Sequence, residues 1–459
     1  MIWSNRFQLL LCASSAYSAS LRLKSARQII TAETQSTRRR RGEEKSGKKT
    51  KHKAPSTKEM SVSTITTRPD HSATSGPMMK ASVLCDVGRL ELRDVPRPVI
   101  SSNEVLVRVA AVGICGTDAH IFAGHANYNT NDRGQPIPLA LQPQILGHEI
   151  SGTIEEVGAS VDDLQPGDRV VLDQGLNCVS RRREVLCDYC RSGHSHQCEF
   201  YREHGITGLP GGLAEFIAVP AVNAVRISKP LSFSEAALVE PLGCIIHSTD
   251  TVSNTRTRYS FNADKADHRV RSVLICGAGP AGLLFTQYLR NVLGFSGSLI
   301  VSDPNARKRE MATKLGADQT IDPGSHDVIE IVREHSSGKG VEYLIEASGS
   351  GDVFASIPGL ICKQAAVLLY GHGHAGTDLS VLNNILFKEP YFVASVGASG
   401  GFEADGRPTV YKRALDLLES EQIDVRTLIT HEYKSLEQVG AALAGGMEAE
   451  DYVKGVVTL

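Results

Sequence analysis

Cys115 and His148 are a thiolate and an imidazole that could bind one zinc ion. Cys115 opens the motif Cys-Gly-Thr-Asp-Ala-His, which ends at His120, and His148 lies between Gly147 and Glu149. Sulfur, imidazole and carboxylate form the mixed ligand set of a zinc site that keeps one position open for a substrate. A cysteine or histidine beside glycine is more often a packed or turn residue, but the two motifs together favour chemistry at an alcohol or a carbonyl.

Thr117 and His120 are two further polar residues of the first motif. A hydroxyl and an imidazole within five residues of Cys115 could carry a proton away from an alcohol bound at the same metal. The zinc ion would act as a Lewis acid on the alcohol oxygen. The motif therefore predicts a dehydrogenation site, which also needs an acceptor for electrons.

A glycine-rich turn in the second half of the chain predicts a site for such an acceptor. The apolar run 272–276 ends at Gly277, and Gly279 and Gly282 complete the pattern Gly-x-Gly-x-x-Gly before a helical sequence begins. In a dinucleotide-binding unit these glycines allow a tight turn, close approach of the pyrophosphate and close packing of helix on strand. A glycine turn in an unrelated α/β domain is the alternative.

Asp303 bears on the choice of cofactor. It follows the next apolar run, 298–302, about 20 residues after the glycines, where such units carry the acid that binds the ribose. A carboxylate there accepts a hydrogen bond from the 2′-hydroxyl and repels a 2′-phosphate, so NAD is favoured over NADP. Arg307 and its two basic neighbours could reach a phosphate, although basic residues at a helix start more often form a solvated face.

Four cysteines between these motifs predict a second zinc ion. They lie in one polar segment and include one Cys-x-x-Cys pair: Cys178, Cys187, Cys190 and Cys198. Four thiolates suit a closed, tetrahedral site with a structural role. Disulfides are the less favoured alternative, because a chain with a dinucleotide-binding unit usually works in a reducing compartment.

The motifs, in this order, resemble those of the zinc-dependent medium-chain alcohol and polyol dehydrogenases, in particular the sorbitol, xylitol and threonine dehydrogenase branch. The resemblance covers residues 79–459 and includes Gly-Asp-Arg-Val at 167–170, Glu-Pro-Leu at 240–242 and Leu-Gly-Ala-Asp at 315–318. It implies an α/β fold, with a Rossmann dinucleotide-binding domain and a β-rich, chaperonin-10 (GroES)-like catalytic domain. It also implies hydride transfer between NAD and a secondary alcohol such as a polyol, cyclitol or amino sugar.

The same resemblance implies roles for the metal ligands. Cys115 and His148 would bind the catalytic zinc. Glu240 would bind it directly or through water, where the simple alcohol branch has a cysteine, and Glu149 would coordinate transiently. An acid beside Pro241 would equally suit the start of a helix.

The remaining implied roles concern protons and the cysteine segment. Asp118 would orient the ring of His148, and Thr117 and His120 would pass the substrate proton to solvent. The family usually separates its first two lobe cysteines by two residues, whereas eight residues separate Cys178 from Cys187. This departure weakens Cys178 as a zinc ligand.

The chain divides into four predicted segments. They are a basic, disordered or targeting extension (1–78), a GroES-like catalytic domain with a zinc lobe at 178–198 (79–245), a Rossmann NAD-binding domain (246–395), and a return to the catalytic domain (396–459). Apolar runs at 273–276, 299–302, 343–346 and 366–370 predict buried parallel strands.

Composition supports a globular enzyme preceded by a basic tail. The 459 residues are 41% hydrophobic with a net charge of −2, and no apolar run approaches the roughly 18 residues that a membrane span needs. Residues 1–79 hold 15 Lys and Arg against 5 Asp and Glu, with no acid before Glu33. This composition resembles a mitochondrial transit peptide, and a cytoplasmic protein with a solvated tail is the alternative.

Two other functions are compatible with a dinucleotide-binding chain. A zinc-free NADPH-dependent reductase of enals or quinones could share the fold, but such enzymes generally lack the cysteines and histidine found here. A non-catalytic dinucleotide-binding protein would not need the proton-relay residues. We expect a small-molecule alcohol as partner, no nucleic acid or membrane, and a homodimer or homotetramer, as the resemblance implies.

Overall fold

The computed structural model describes residues 76–374 and 376–459. The predictions on residues 1–75, including the targeting or disordered extension, lie outside the described residues. Within the described ranges, no helix combines the length and the apolarity needed to cross a membrane.

Eighteen strands lie in the described ranges. In chain order they are β1 (Met78–Asp86), β2 (Arg89–Pro96), β3 (Glu104–Ile114), β4 (Gln144–Ile145), β5 (Glu149–Val157), β6 (Arg169–Leu172), β7 (Gly175–Leu176), β8 (Arg202–Glu203), β9 (Phe216–Pro220), β10 (Ala224–Arg226), β11 (Ser272–Cys276), β12 (Ser298–Ser302), β13 (Gln319–Ile321), β14 (Val341–Glu346), β15 (Ile361–Leu369), β16 (Tyr391–Ala394), β17 (Ile429–Tyr433) and β18 (Lys454–Thr458).

Eleven α-helices accompany them in the same ranges. They are α1 (Gly116–Phe122), α2 (Asp188–Arg191), α3 (Phe233–Ala237), α4 (Val239–Asn254), α5 (Pro280–Gln287), α6 (Ala306–Lys314), α7 (Val328–His335), α8 (Gly351–Leu360), α9 (Val381–Leu386), α10 (Thr409–Glu419) and α11 (Val439–Leu443).

A seven-stranded sheet, called the catalytic sheet below, organises the half of the chain that is predicted to be catalytic (the catalytic half). Its order is β10-β6-β5-β3-β18-β17, and β9 pairs with β3. Strand β3 lies in the middle of this sheet, and most of its residues are buried, with Arg108 as its one exposed residue. A smaller sheet, β2-β1-β4, accompanies it. The catalytic sheet therefore joins residues 104–226 to residues 429–458.

A six-stranded parallel sheet forms the other half. Its order is β13-β12-β11-β14-β15-β16, and every residue of β11 and β14 is buried. Parallel strands covered by helices on both faces read as continuous apolar runs, which is why these strands were visible in the sequence. The four predicted parallel strands are confirmed as β11, β12, β14 and β15, and the short β13 and β16 extend the sheet at its two edges.

Helices connect the two sheets through a shared apolar core. The predicted limit between residues 245 and 246 falls inside α4, whose buried residues Val239, Leu242, Ile245 and Ile246 share one apolar core with β11. Buried residues of the segment 410–428 belong to the same core, whereas 429–433 and 454–458 are strands of the catalytic sheet. The segment 396–459 thus contributes to both halves.

Candidate active site

The side chains of Cys115, His148 and Glu149 meet at one end of the catalytic sheet. Cys115 precedes α1, and Gly113 of β3 pairs with Glu149 of β5, so the antiparallel ladder places the two sequence motifs side by side. One possible ligand atom from each of the three lies within 4.8 Å of the others. His148 and Glu149 are buried and Cys115 is half-buried. The fold brings together the ligand types that the sequence predicted.

Gly113 makes room for the carboxylate of this cluster. A Cβ atom on Gly113 would lie 1.9 Å from Oε2 of Glu149, a distance that no side chain tolerates. Glycine at position 113, two residues before the first motif, is therefore explained by close approach of the Glu149 side chain and not by a turn.

Asp118 connects the two motifs. Its carboxylate accepts hydrogen bonds from the backbone N–H of Cys115 at 2.9 Å and of Gly147 at 3.1 Å, and Oδ1 lies 3.5 Å from Nδ1 of His148. Burial favours the neutral acid, but the charge of His148 lowers the pKa of Asp118. This position fits the predicted role in orienting the His148 ring.

The pKa of His148 shows how the site would respond to a metal. Burial disfavours the imidazolium, yet the Asp118 and Cys115 charges raise the pKa of His148 well above its ordinary value. A metal ion needs the neutral imidazole, so zinc binding would release a proton and weaken as the pH falls.

Zinc fits the residues of this cluster. Oε2 of Glu149 is a buried side-chain atom without a hydrogen-bond partner among the described residues, and Nδ1 of His148 faces Asp118, which leaves Nε2 of the same ring for a metal ion. Buried polar atoms without a partner are costly unless something satisfies them. A thiolate, an imidazole and a carboxylate are the donors expected around zinc with one position open.

Lys454 is a residue of this site that the sequence analysis missed. Its Nζ lies 2.5 Å from Oε1 of Glu149 and donates to the carbonyl of Ile114 at 2.9 Å. The lysine is 3% exposed. Burial opposes its charge, but Glu149 raises the pKa of Lys454 above its ordinary value. The signal in the sequence was a lone charge beginning the apolar run Gly-Val-Val near the carboxyl end.

Glu240 lies beside the three-residue cluster and outside it. Its Oε1 accepts hydrogen bonds from Nε2 of Gln174 at 3.0 Å and from Sγ of Cys244 at 3.3 Å. Burial raises the pKa of Glu240 to about 7, and the charges of His148 and Glu149 also act on it. Glu240 is the second residue of α4, a position that also agrees with the alternative interpretation, in which the acid suits the start of a helix. Gln174 was not singled out from the sequence.

Thr117 and His120 lie on α1 next to Cys115. The thiol of Cys115 is 3.7 Å from Oγ1 of Thr117, and His120 is exposed to solvent. Burial of part of the ring, followed by the charges of His372 and His125, lowers the pKa of His120. A neutral imidazole at the surface end of the site can accept a proton and release it to water.

The glycine turn has the geometry that a dinucleotide requires. Gly277 has φ +101°, in the left-handed region, and a Cβ on Gly282 would lie 1.9 Å from the carbonyl oxygen of Gly277. Gly279 precedes α5, and a Cβ there would meet nothing within 4 Å. The turn is therefore tight, helix and strand are in close contact, and open space lies at the helix N-terminus where phosphates bind.

Asp303 points at this turn. Its Oδ2 accepts a hydrogen bond from the backbone N–H of Ala278 at 2.7 Å, and Oδ1 accepts from Asn305 at 2.8 Å. Arg307 lies 3.7 Å from Asp451, and both side chains are 55% exposed. The predicted carboxylate is thus beside the glycines, while the charge of Arg307 pairs with an acid at the surface.

The four lobe cysteines converge on one point. One sulfur from each lies within 4.8 Å of the others, Cys178 included, and Sγ of Cys178 is 3.6 Å from Sγ of Cys198. All nine cysteines in the described ranges are free. The backbone N–H of Cys190 lowers the pKa of Cys187 to about 6, which favours the thiolate that a metal binds.

The eight residues between Cys178 and Cys187 form a bulge, of which residues 181–185 are exposed to solvent. Backbone hydrogen bonds from Arg182 to Val179 and from Arg183 to Cys178 fold it back on itself, and the antiparallel pair β7-β8 closes the base of the lobe. Unusual spacing therefore does not remove Cys178 from the cluster.

Comparison with known proteins places these features in a family. Residues 101–229 match the alcohol dehydrogenase GroES-like domain, and residues 280–420 match the zinc-binding dehydrogenase domain. The chain is 33% identical to an L-threonine 3-dehydrogenase of Pyrococcus abyssi, over 75% of this chain and 88% of that protein. It is 29% identical to a sorbitol dehydrogenase of Bacillus subtilis, over 81% of this chain and 94% of that protein.

A solved structure gives the same result at the level of the fold. A zinc-binding dehydrogenase from Sinorhizobium meliloti, bound to NADP, superposes with a TM-score of 0.67 at 29% identity, over 83% of this chain and all of that chain. The predicted two-domain α/β fold is confirmed. The chain therefore belongs to the family of zinc-dependent, NAD(P)-linked medium-chain alcohol and polyol dehydrogenases.

Proposed function

We propose that this dehydrogenase oxidises a secondary alcohol of a hydroxyl-rich compound, such as a polyol, cyclitol or amino sugar, with NAD as the hydride acceptor. The observation that carries the proposal is the cluster of Cys115, His148 and Glu149 with the carboxylate of Glu240 beside it. A relative that is named a sorbitol dehydrogenase supports the substrate class. The clustered ligands disfavour the zinc-free reductase.

The chain's own groups would hold the substrate oxygen and remove its proton. Cys115, His148 and Glu149 would hold a zinc ion, which would supply Lewis-acid polarisation of that oxygen. Thr117 would take the alcohol proton, and His120 would pass it to water from the exposed end of α1. Gly277, Gly279 and Gly282 would hold the dinucleotide at the N-terminus of α5.

The proposal is tested with a panel of sugar alcohols, inositols, amino sugars and threonine, offered with NAD and NADP in parallel. We expect NADH formation with at least one hydroxyl-rich compound. Binding of NADH without turnover of any alcohol would instead identify a non-catalytic dinucleotide-binding protein.

Preference for NAD is proposed from Asp303. We expect Asp303→Asn to lower the ratio of kcat/KM with NAD to kcat/KM with NADP by about tenfold, because the charge that repels a 2′-phosphate is removed. Asp250→Asn, which breaks a surface pair with Arg413 on another element, is the matched control. An unchanged ratio in Asp303→Asn would show that other residues select the cofactor.

A structural zinc ion is proposed for the four cysteines of the lobe. We expect Cys178→Ser to reduce the zinc content from about two ions to about one per chain and to lower the melting temperature, because metal binding contributes to folding. Cys362→Ser alters a cysteine buried in the other half of the molecule and is the control. Elemental analysis that finds both ions retained would remove Cys178 from the ligand set.

A homodimer or homotetramer is proposed as the working state. Strand β16 lies at an edge of the parallel sheet, and large apolar side chains near it are exposed: Leu379, Leu382, Leu386, Phe387 and Phe392. An exposed apolar group beside an open sheet edge is typical of a surface that another chain covers. Location in mitochondria or cytoplasm stays a prediction from the N-terminal composition.

A further inference from the structure

The side chain of Gln174 lies at a junction of three elements. Gln174 is between β6 and β7 and is 1% exposed. Its Nε2 donates to Oε1 of Glu203 at 3.0 Å and to Oε1 of Glu240 at 3.0 Å, and its Oε1 accepts from the hydroxyl of Tyr411. Glu240 is in the first turn of α4, Tyr411 belongs to α10, and Glu203 ends β8 at the base of the cysteine lobe.

These partners determine the orientation of the amide. The carboxylate of Glu203 accepts hydrogen bonds, and Oε1 of Glu240 already accepts one from Cys244, so the amide nitrogen must face these two oxygens. The amide oxygen then faces Tyr411, whose hydroxyl can donate. All three contacts are satisfied in one rotamer, and the flipped amide would set its oxygen against two carboxylates.

These hydrogen bonds fix the orientation of the Glu240 carboxylate. Its Oε1 receives two hydrogen bonds, from Gln174 and from Cys244, whereas no hydrogen bond reaches Oε2 in the part of the chain that the structure describes. One oxygen is therefore anchored and the other is available. The anchored carboxylate is next to His148 and Glu149 of the catalytic cluster and cannot turn without losing both donors.

We propose that Gln174 is a positioning residue, which holds the carboxylate of Glu240 so that its second oxygen serves the catalytic zinc or a water bound to it. The inference rests on the proposed function. Gln174 itself would make no contact with the substrate. Without Gln174, the buried carboxylate of Glu240 and the half-buried carboxylate of Glu203 lose their shared donor, and the Glu240 side chain gains rotamers that point away from the cluster.

The test is Gln174→Met, which keeps the length of the side chain and removes both donors. Loss of groups that orient the surroundings of a metal typically costs about 10–100-fold in metal affinity or activity. We expect the catalytic zinc to be lost to a chelator at least about tenfold faster and kcat to fall by about 10–100-fold. Zinc of the cysteine lobe, NAD affinity and KM for the nucleotide should stay within about twofold.

Gln287→Met is the matched control. Gln287 is also a buried glutamine with two hydrogen bonds, to the backbone of Asp424, but it lies at the end of α5. The Gln287→Met variant should lose about as much stability as Gln174→Met and keep the catalytic zinc. If Gln174→Met does not fold, Gln174→Asn, which keeps the amide but is one methylene too short to reach both carboxylates, carries the test.

The outcomes separate this inference from the proposed function. A wild-type enzyme without zinc-dependent turnover would overturn the proposed function. A wild-type enzyme with normal turnover, beside Gln174 variants that release zinc and turn over like Gln287→Met, would overturn the positioning role alone.

Discussion

Cys115→Ser and His148→Ala are each expected to reduce turnover at least about 1000-fold while NAD binding changes only a few-fold. Each substitution removes one ligand of the three-residue cluster. Lewis-acid stabilisation by zinc is worth several kcal/mol, and each 1.36 kcal/mol is a factor of ten in rate. The glycine turn and Asp303 lie in the parallel sheet and keep their geometry. Steady-state NADH formation and nucleotide titration measure the two effects separately.

Cys85→Ser is the control for the cysteine substitution. Cys85 is buried in the catalytic half of the chain and its thiol contacts only the carbonyl of Val83 among the described hydrogen bonds. We expect it to keep zinc and turnover. Near-normal activity of Cys115→Ser or of His148→Ala would mean that the cluster is not where the alcohol reacts.

Lys454→Met is expected to cost the protein about 3–5 kcal/mol of unfolding free energy, the usual cost of breaking a buried ion pair from one side. Lys454 and Glu149 are 3% and 0% exposed, so in protein stripped of zinc the lone Glu149 carboxylate would stay buried without a counter-charge. The carbonyl of Ile114 would also lose its donor. Denaturant unfolding of the zinc-free wild type and variant at neutral pH measures the loss.

The double variant Lys454→Met with Glu149→Gln separates charge from packing. It removes the uncompensated carboxylate and should recover most of the lost stability, although it also removes a proposed zinc ligand. Lys314→Met breaks the exposed pair with Glu310 and should change the unfolding free energy little. A loss in Lys454→Met as small as that in Lys314→Met would show that Glu149 is compensated by another group.

Local patterns in the sequence were sufficient for the parallel sheet and the glycine turn. Continuous apolar runs predict strands buried on both faces. Glycines are needed where a strand turns sharply into a helix, as the chain does at Gly277 and Gly282. The edge strands β13 and β16 have three and four residues, too few for a pattern to stand out. The catalytic motifs were readable for the same reason, since Cys115 and His148 each lie in a short and distinctive run.

Contacts between distant parts of the chain could not be predicted. Lys454 follows Glu149 by 305 residues, and Tyr411 follows Gln174 by 237. Their positions depend on the return of the last strands to the catalytic sheet and on the packing of α10, which no local pattern specifies. Cys178 differs from these residues, because here the local pattern was misleading. Its spacing argued against a ligand role, but the bulge after it lets its sulfur lie with the other three.

Zinc removal and reconstitution test the central claim most directly. The protein is stripped of metal with a chelator, the zinc content is measured, and NADH formation from the best alcohol of the panel is followed before and after zinc is restored. We predict that turnover disappears with the catalytic zinc and returns when zinc is added back, in proportion to the ion bound. Full turnover in the metal-depleted protein would contradict the account.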